Sequence, residues 1–210
     1  MGTSELTPAF VAAGVAFGLS AAICQAFSYI FSRRFLTECR AEAWALFGMS
    51  HLLMGIVALA AYPFVKTSPL PPFKEWGLFL VGTAGCYLLG QLFLFAALNR
   101  ADSSKVAPLL GFKIPTLAVL SIILFQDSLS LIGWLAIFAC VVAGLLISPP
   151  SGIPQARVLA LVGLACLGYC ASDLCIPRLV AAVSDASRVP VLLAVSLSYV
   201  VVGLAGLSVV

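Results

Sequence analysis

Residues 96 to 148 read AALNRADSSKVAPLLGFKIPTLAVLSIILFQDSLSLIGWLAIFACVVAGLLIS. Two apolar runs, 104 to 126 and 128 to 148, meet here at a turn holding Asp127. As a helix rising 1.5 Å per residue, about 20 such residues cross the roughly 30 Å hydrocarbon core of a bilayer. The runs are continuously apolar, whereas barrel strands are about 10 residues of alternating polarity, so helices are expected. Working outward, the same texture recurs at 9 to 32, 43 to 65 and 76 to 98 before this stretch and at 158 to 181 and 189 to 210 after it. With 62% hydrophobic and 9% charged residues the chain lies outside the balance of soluble domains. The reading is an all-α membrane protein, a polytopic bundle of seven spans with no soluble domain left over.

Breakers separate the spans: Thr67, Ser68, Pro69, Leu70, Pro71 and Pro72 between the second and third, and Pro149, Pro150, Ser151, Gly152, Ile153 and Pro154 between the fifth and sixth, the natural hinge. The first eight residues hold no Lys or Arg and the apolar run after them is too long for a signal-peptide core, so the first span is read as permanent. Cys24, Cys86, Cys140, Cys166, Cys170 and Cys175 fall inside spans, where they act as small apolar residues, and Cys39 falls in a loop. Cys166 and Cys170 share a helical face but lack a His partner, a poor metal site. The net charge of +3 forms no basic cluster of the kind that binds nucleic acid. Orientation nearly ties: Lys66, Lys74, Arg178 and Arg188 stand on the face of the N-terminus, and Arg33, Arg34, Arg40, Arg100, Lys105 and Arg157 on the other, a mild preference for an outside N-terminus.

Small residues four apart make a smooth stripe on the first span (Gly14, Gly18, Ala22, Ala26), the third (Gly82, Cys86, Gly90) and the fifth (Ala136, Cys140, Gly144). Lipid supplies no hydrophobic drive between helices, so such stripes permit the close backbone approach that dispersion needs. The stripe on the fifth span suits either packing between repeats or a homodimer. An internal repeat accompanies them. Setting Gly18 on Gly163 also sets Leu19 on Leu164, Ala26 on Ala171 and Arg33 on Arg178; setting Ser50 on Ser198 also sets Gly55 on Gly203 and Leu59 on Leu207. The sixth span thus copies the first and the seventh copies the second. An odd number of spans separates the copies, so the second enters the membrane from the opposite side, an inverted repeat of the kind secondary transporters use.

At residues 97 to 148 the chain resembles the second half of an EamA domain of the drug/metabolite transporter superfamily. The marks are Ala97-Leu98 closing the third span, a short polar loop, Ala107-Pro108 opening the fourth, Pro115 within it, and the turn with Asp127, Leu129 and Ser130. Gly133 and an Ala143-Gly144 ending of the fifth span follow. Phe31-Ser32-Arg33-Arg34 is similar to the end of the family's first helix, and the resemblance extends more weakly over 9 to 210. Asp127 stands where the family commonly has Glu, and Lys113 puts a charge where an apolar residue is usual. The resemblance implies five-helix inverted repeats, ten helices in all, both termini cytoplasmic, and export or uptake of small metabolites through a cavity lined by both repeats. That orientation opposes the loop count and is preferred to it. Residues 1 to 148 would then form the first repeat, 149 to 157 a linker, and 158 to 210 the start of an incomplete second repeat. An end within apolar sequence at Val209-Val210 reads as truncation after the seventh helix.

Polar residues inside spans are the functional candidates, since each needs a partner or a wet cavity. Lys113 and Asp173 would carry opposite charges at levels roughly 9 Å apart along the membrane normal, a gap a stretched Lys closes in part; a structural ion pair and a solute or proton site are equal readings. Pro115 should kink the fourth span beside Lys113 and free the Gly111 carbonyl to line a cavity. Gln25 shares a face with Ser28, Tyr29 and Ser32, Tyr87 lies one turn below Gln91, and Tyr169 one turn below Asp173, faces suited to an amphipathic organic solute. For Gln25 and Gln91 an interhelical hydrogen bond is the plainer role, and His51 is read as a packing or hydrogen-bonding residue. No Ser-His, Cys-His or paired-Asp arrangement supports an enzyme, and no cofactor or metal motif is present. The expected function is a multi-pass cell-membrane secondary transporter of small organic metabolites or drugs by alternating access, the inner membrane if bacterial, with a proton or another coupling ion as partner besides lipid and solute. The competing expectation is a noncatalytic truncated or regulatory relative that packs with an intact partner.

Overall fold

Uninterrupted apolar sequence gives helix, and a computed structural model describes it over residues 8–39, 43–65, 69–126, 128–147, 155–184 and 189–207. The elements are α1 (Pro8–Glu38), α2 (Ala43–Val65), α3 (Phe73–Leu98), α4 (Ser103–Leu110), α5 (Lys113–Phe125), α6 (Leu131–Ile147), α7 (Ala156–Val183) and α8 (Pro190–Leu207). Among the described residues there is no strand. α4 and α5 are two halves of the fourth span. Thr67, Ser68, Lys66, Arg40, Asp127, Arg188, Val209, Val210 and the hinge from Pro149 to Pro154 lie outside the described residues.

Six of the helical spans are long and apolar enough to cross a membrane, with α4 and α5 taken together. The fifth, expected at 128 to 148, is shorter: α6 is 17 residues, a rise of about 25 Å. It starts late because Ser130 serves as its cap, the side-chain oxygen accepting from Gly133 N–H at 3.2 Å while the carbonyl accepts from Trp134 at 3.1 Å. α5 stops at Gln126, whose φ of 56° is left-handed and whose N–H returns to the Ile122 carbonyl. α1 runs past its apolar stretch through Arg33 and Arg34. The Arg33 guanidinium donates at 2.8 Å to the carbonyl of Leu98, the last residue of α3, one of the carbonyls a helix end leaves without an internal donor.

The break in the fourth span has a local cause. Pro115 has no N–H to give the Gly111 carbonyl, and its ring crowds that oxygen. The chain tightens there: Gly111 bonds back to Pro108, and Ile114 N–H donates to the Gly111 carbonyl at 3.1 Å. The kink is where Pro115 predicts it, but the Gly111 oxygen is occupied rather than free, a correction to the sequence reading.

Two helix pairs form the centre, α3 on α7 and α2 on α8. The stripe on α3 makes the close approach that its small residues permit, and its partner is α7. A Cβ on Gly168 would sit 2.8 Å from Gly90 N and 2.9 Å from the Cys86 carbonyl, and one on Gly82 would meet Cys175 Sγ at 2.9 Å. Ser172 Oγ bonds across the same seam to the Thr83 carbonyl at 2.9 Å. In the second pair the approach is closer. A Cβ on Gly55 would lie 2.6 Å from Gly203 Cα, and one on Gly206 would lie 2.8 Å from the Gly48 carbonyl. No side chain fits between these backbones, and dispersion across them replaces the hydrophobic drive that lipid lacks. The other two stripes differ from expectation. Gly14 and Gly18 of α1 have nothing within 4 Å, whereas Gly144 of α6 sits against the Pro108 carbonyl at 3.4 Å from its would-be Cβ, with Ala136 and Cys140 exposed.

Candidate functional site

The site is built on the break between α4 and α5. The Cys170 thiol of α7 donates to the Lys113 carbonyl at 3.3 Å, which fixes the start of α5 against α7. Cys166, one turn earlier, reaches toward the Leu110 carbonyl at 3.9 Å. The two thiols read as apolar filler therefore face backbone carbonyls of the kinked span. From Cys170 to Asp173 is a rise of only about 4.5 Å, which the Lys113 side chain covers: Nζ stands 2.6 Å from Asp173 Oδ2, each side chain about one third exposed. The expected offset of roughly 9 Å assumed straight spans. The kink and close contact with α7 remove much of it, so the two charges pair. The ammonium also lies 5.6 Å from the Tyr169 ring centroid, a cation–π distance.

Aromatic residues continue the site away from the charges. Tyr87 of α3 is 6.0 Å from the Tyr169 ring and 6.0 Å from the Tyr199 ring of α8, with His51 of α2 at 5.9 Å. Gln91 Nε2 donates to the Tyr87 hydroxyl at 2.8 Å, an intrahelical bond rather than the interhelical one expected. Tyr29 is half-buried and packs on the cluster containing Tyr169, while Gln25, one turn earlier on α1, is exposed. Of the seven candidates, Tyr87, Gln91, Lys113, Tyr169 and Asp173 come together, Tyr29 borders them, and Gln25 stands apart. His51 is buried, its Nδ1 2.6 Å from the Phe47 carbonyl, in line with a hydrogen-bonding and packing role.

A cavity of about 140 Å³ opens beside Asp173 between α3, α7 and α8, near the size that receives one small aromatic ring. Thr83 and Tyr87 line it from α3, Ser172, Asp173 and Ile176 from α7, and Ser198, Tyr199 and Val202 from α8. Thr83 Oγ1, on the cavity wall, is buried with no hydrogen-bond partner among the described residues, a group that a guest could satisfy; the Tyr169 hydroxyl, outside the lining, is likewise unpartnered. Tyr199, Ser198 and Thr83 were missed in the sequence. Singly they look like ordinary span residues, and of the three only Ser198 entered the sequence reading, through its match with Ser50 in the repeat.

The EamA-like transporter family model matches residues 12–149, which takes in most of α1 and the whole of α2 to α6, Lys113 included. No curated protein matches the chain. With six helices able to span a bilayer and a family match over more than half its length, this multi-pass membrane protein belongs to the EamA-like transporter family, transporters of the drug/metabolite type.

Proposed function

We propose that the chain is a secondary transporter of small organic metabolites or drugs at the cell membrane, working by alternating access. The carrying observation is the Lys113–Asp173 pair at 2.6 Å, which ties the kinked span to a carboxylate on the wall of a cavity lined by Tyr87 and Tyr199. An ion pair in a membrane costs desolvation, and an apolar pair would serve packing at least as well. Its place beside the cavity gives it a use: a solute ammonium competes with Lys113 for Asp173, a solute carboxylate competes with Asp173 for Lys113, and the rings of Tyr87 and Tyr199 receive the apolar part. Binding then loosens the link between α5 and α7, a differential contact of the sort that shifts a two-state equilibrium.

The domain reading, 1 to 148, 149 to 157 and 158 to 210, draws support from the α2–α8 crossing. Gly55 and Gly203, which the repeat makes equivalent, face each other there, as residues on a local two-fold axis would. Coupling to a proton through Asp173 is part of the proposal; uptake indifferent both to Asp173→Asn and to a collapsed gradient removes it.

The test of the site is thermal stabilisation of the purified chain in detergent by a panel of amino acids, nucleobases, sugars and cationic drugs, because a ligand of the folded state raises its melting temperature. A hit lost in both Lys113→Met and Asp173→Asn supports the site and names the solute class. Silence across the panel from a folded chain, or a hit that survives both substitutions, overturns it.

A further inference from the structure

A second cavity, about 250 Å³, lies at the opposite end of α7 from its C-terminus, lined by Arg33, Arg100, Asp102, Lys105, Gln155 and Val158. Three cations face one carboxylate, and that carboxylate already serves Arg33 at 3.3 Å. Two helices also begin here. α4 starts after Asp102 and α7 after Gln155, and neither residue caps its helix with a side chain. First-turn amides of both helices are thus left without side-chain acceptors, with the positive ends of two helix dipoles added to the cations. α3 also ends here, its last carbonyl, that of Leu98, accepting from Arg33 of α1. This is the height at which apolar spans give way to headgroups. Three and six residues before Arg33 on α1, Ile30 and Phe27 are exposed, an apolar track of the kind an acyl chain covers.

We infer that this basic cavity is a binding site for the phosphodiester headgroup of an anionic phospholipid, whose acyl chain lies along the outer face of α1. Positive charge in excess of Asp102 favours a lipid with net negative charge over a zwitterionic one, and basic pockets between spans at the membrane surface are suited to such headgroups. A free organic phosphate offers the same anion but leaves the α1 track unused.

The test reconstitutes the chain in nanodiscs of phosphatidylcholine with graded phosphatidylglycerol, reading melting temperature and, by native mass spectrometry, the phosphatidylglycerol retained. Arg100→Gln with Lys105→Gln removes two cations from the cavity; Arg34→Gln with Lys74→Gln removes the same net charge elsewhere. The proposal expects the lipid concentration for half-maximal stabilisation to rise about thirtyfold in the first variant, at about 1 kcal/mol for each of its two basic residues near a membrane surface, and to stay within about twofold in the second. Equal responses of wild type and both variants, or equal losses in both, overturn it. Stabilisation by glycerol 1-phosphate in pure phosphatidylcholine to the same extent overturns the lipid as the source of the phosphate. Should the first variant melt early in every lipid, the count of retained phosphatidylglycerol decides: unchanged retention refutes the site.

Discussion

Consider removing the charges of Lys113 and Asp173 one at a time and together. The pair is tight, 2.6 Å between Nζ and Oδ2, yet each side chain keeps about one third of its exposure. Stripping one partner from a fully buried pair costs about 3–5 kcal/mol, and from an exposed one about 0–1 kcal/mol. At intermediate burial the single changes should cost about 1–3 kcal/mol. They should not be equal. In Asp173→Asn the ammonium still faces the Tyr169 ring at 5.6 Å, a partial substitute of about 0.5–2 kcal/mol, whereas in Lys113→Met the carboxylate loses its cation with no ring to turn to. Lys113→Met is therefore the more damaging. The double variant carries no stranded charge and should be less destabilised than the sum of the singles, a coupling of about 1–2 kcal/mol. The assay is reversible unfolding in mixed micelles, four proteins in one cycle. Additivity within about 0.5 kcal/mol, or Asp173→Asn as the worse single, would refute the reasoning that the two groups hold each other across α5 and α7.

Other expectations follow from the packing. Gly203→Leu should cost at least about 2 kcal/mol by overpacking, since even its Cβ would stand 2.5 Å from Gly55 Cα, while Gly14→Leu should be nearly neutral because nothing lies within 4 Å of it; the same micellar unfolding assay separates them. Ser172→Ala should lose about 0.6–1.7 kcal/mol, the range for hydrogen bonds between membrane helices, as its bond to the Thr83 carbonyl is removed. Thr83→Val keeps the shape and deletes an unpartnered buried hydroxyl oxygen, so stability should hold or rise while solute stabilisation falls; a loss of stability would place an unseen partner on that hydroxyl.

The helices were legible in the sequence because a bilayer demands length and apolarity, and those are properties of composition. Their ends were less so. Ser130 delays α6 by capping it, and α1 outlasts its apolar run because Arg33 finds the end of α3, both consequences of single side-chain bonds. At the site, Lys113, Asp173 and the kink at Pro115 stood out because polar and imino residues are conspicuous among apolar ones. The small stripe on α3 was real, but that on α1, and that on α6 apart from Gly144, show that smoothness permits contact without supplying a neighbour. The glycine crossing of α2 and α8 went unread as a contact since Gly48 and Gly55, and Gly203 and Gly206, are not spaced four apart. Tyr199 was invisible until folding set it opposite Tyr87.

That crossing also has a mechanical side. Where two backbones touch with no side chains between them, one helix can swivel on the other without interlocked ridges having to climb over each other, so under the alternating access proposed above the contact would act as a fulcrum. Displacement would be least at Gly55 and Gly203 and grow along each arm. A swivel of about 10° moves a point ten residues away, about 15 Å along the helix, by roughly 2.5 Å. Leverage of that size is enough to open one end of a narrow cavity while the other closes, and Gly203→Ala would stiffen it by wedging a methyl group into the fulcrum itself.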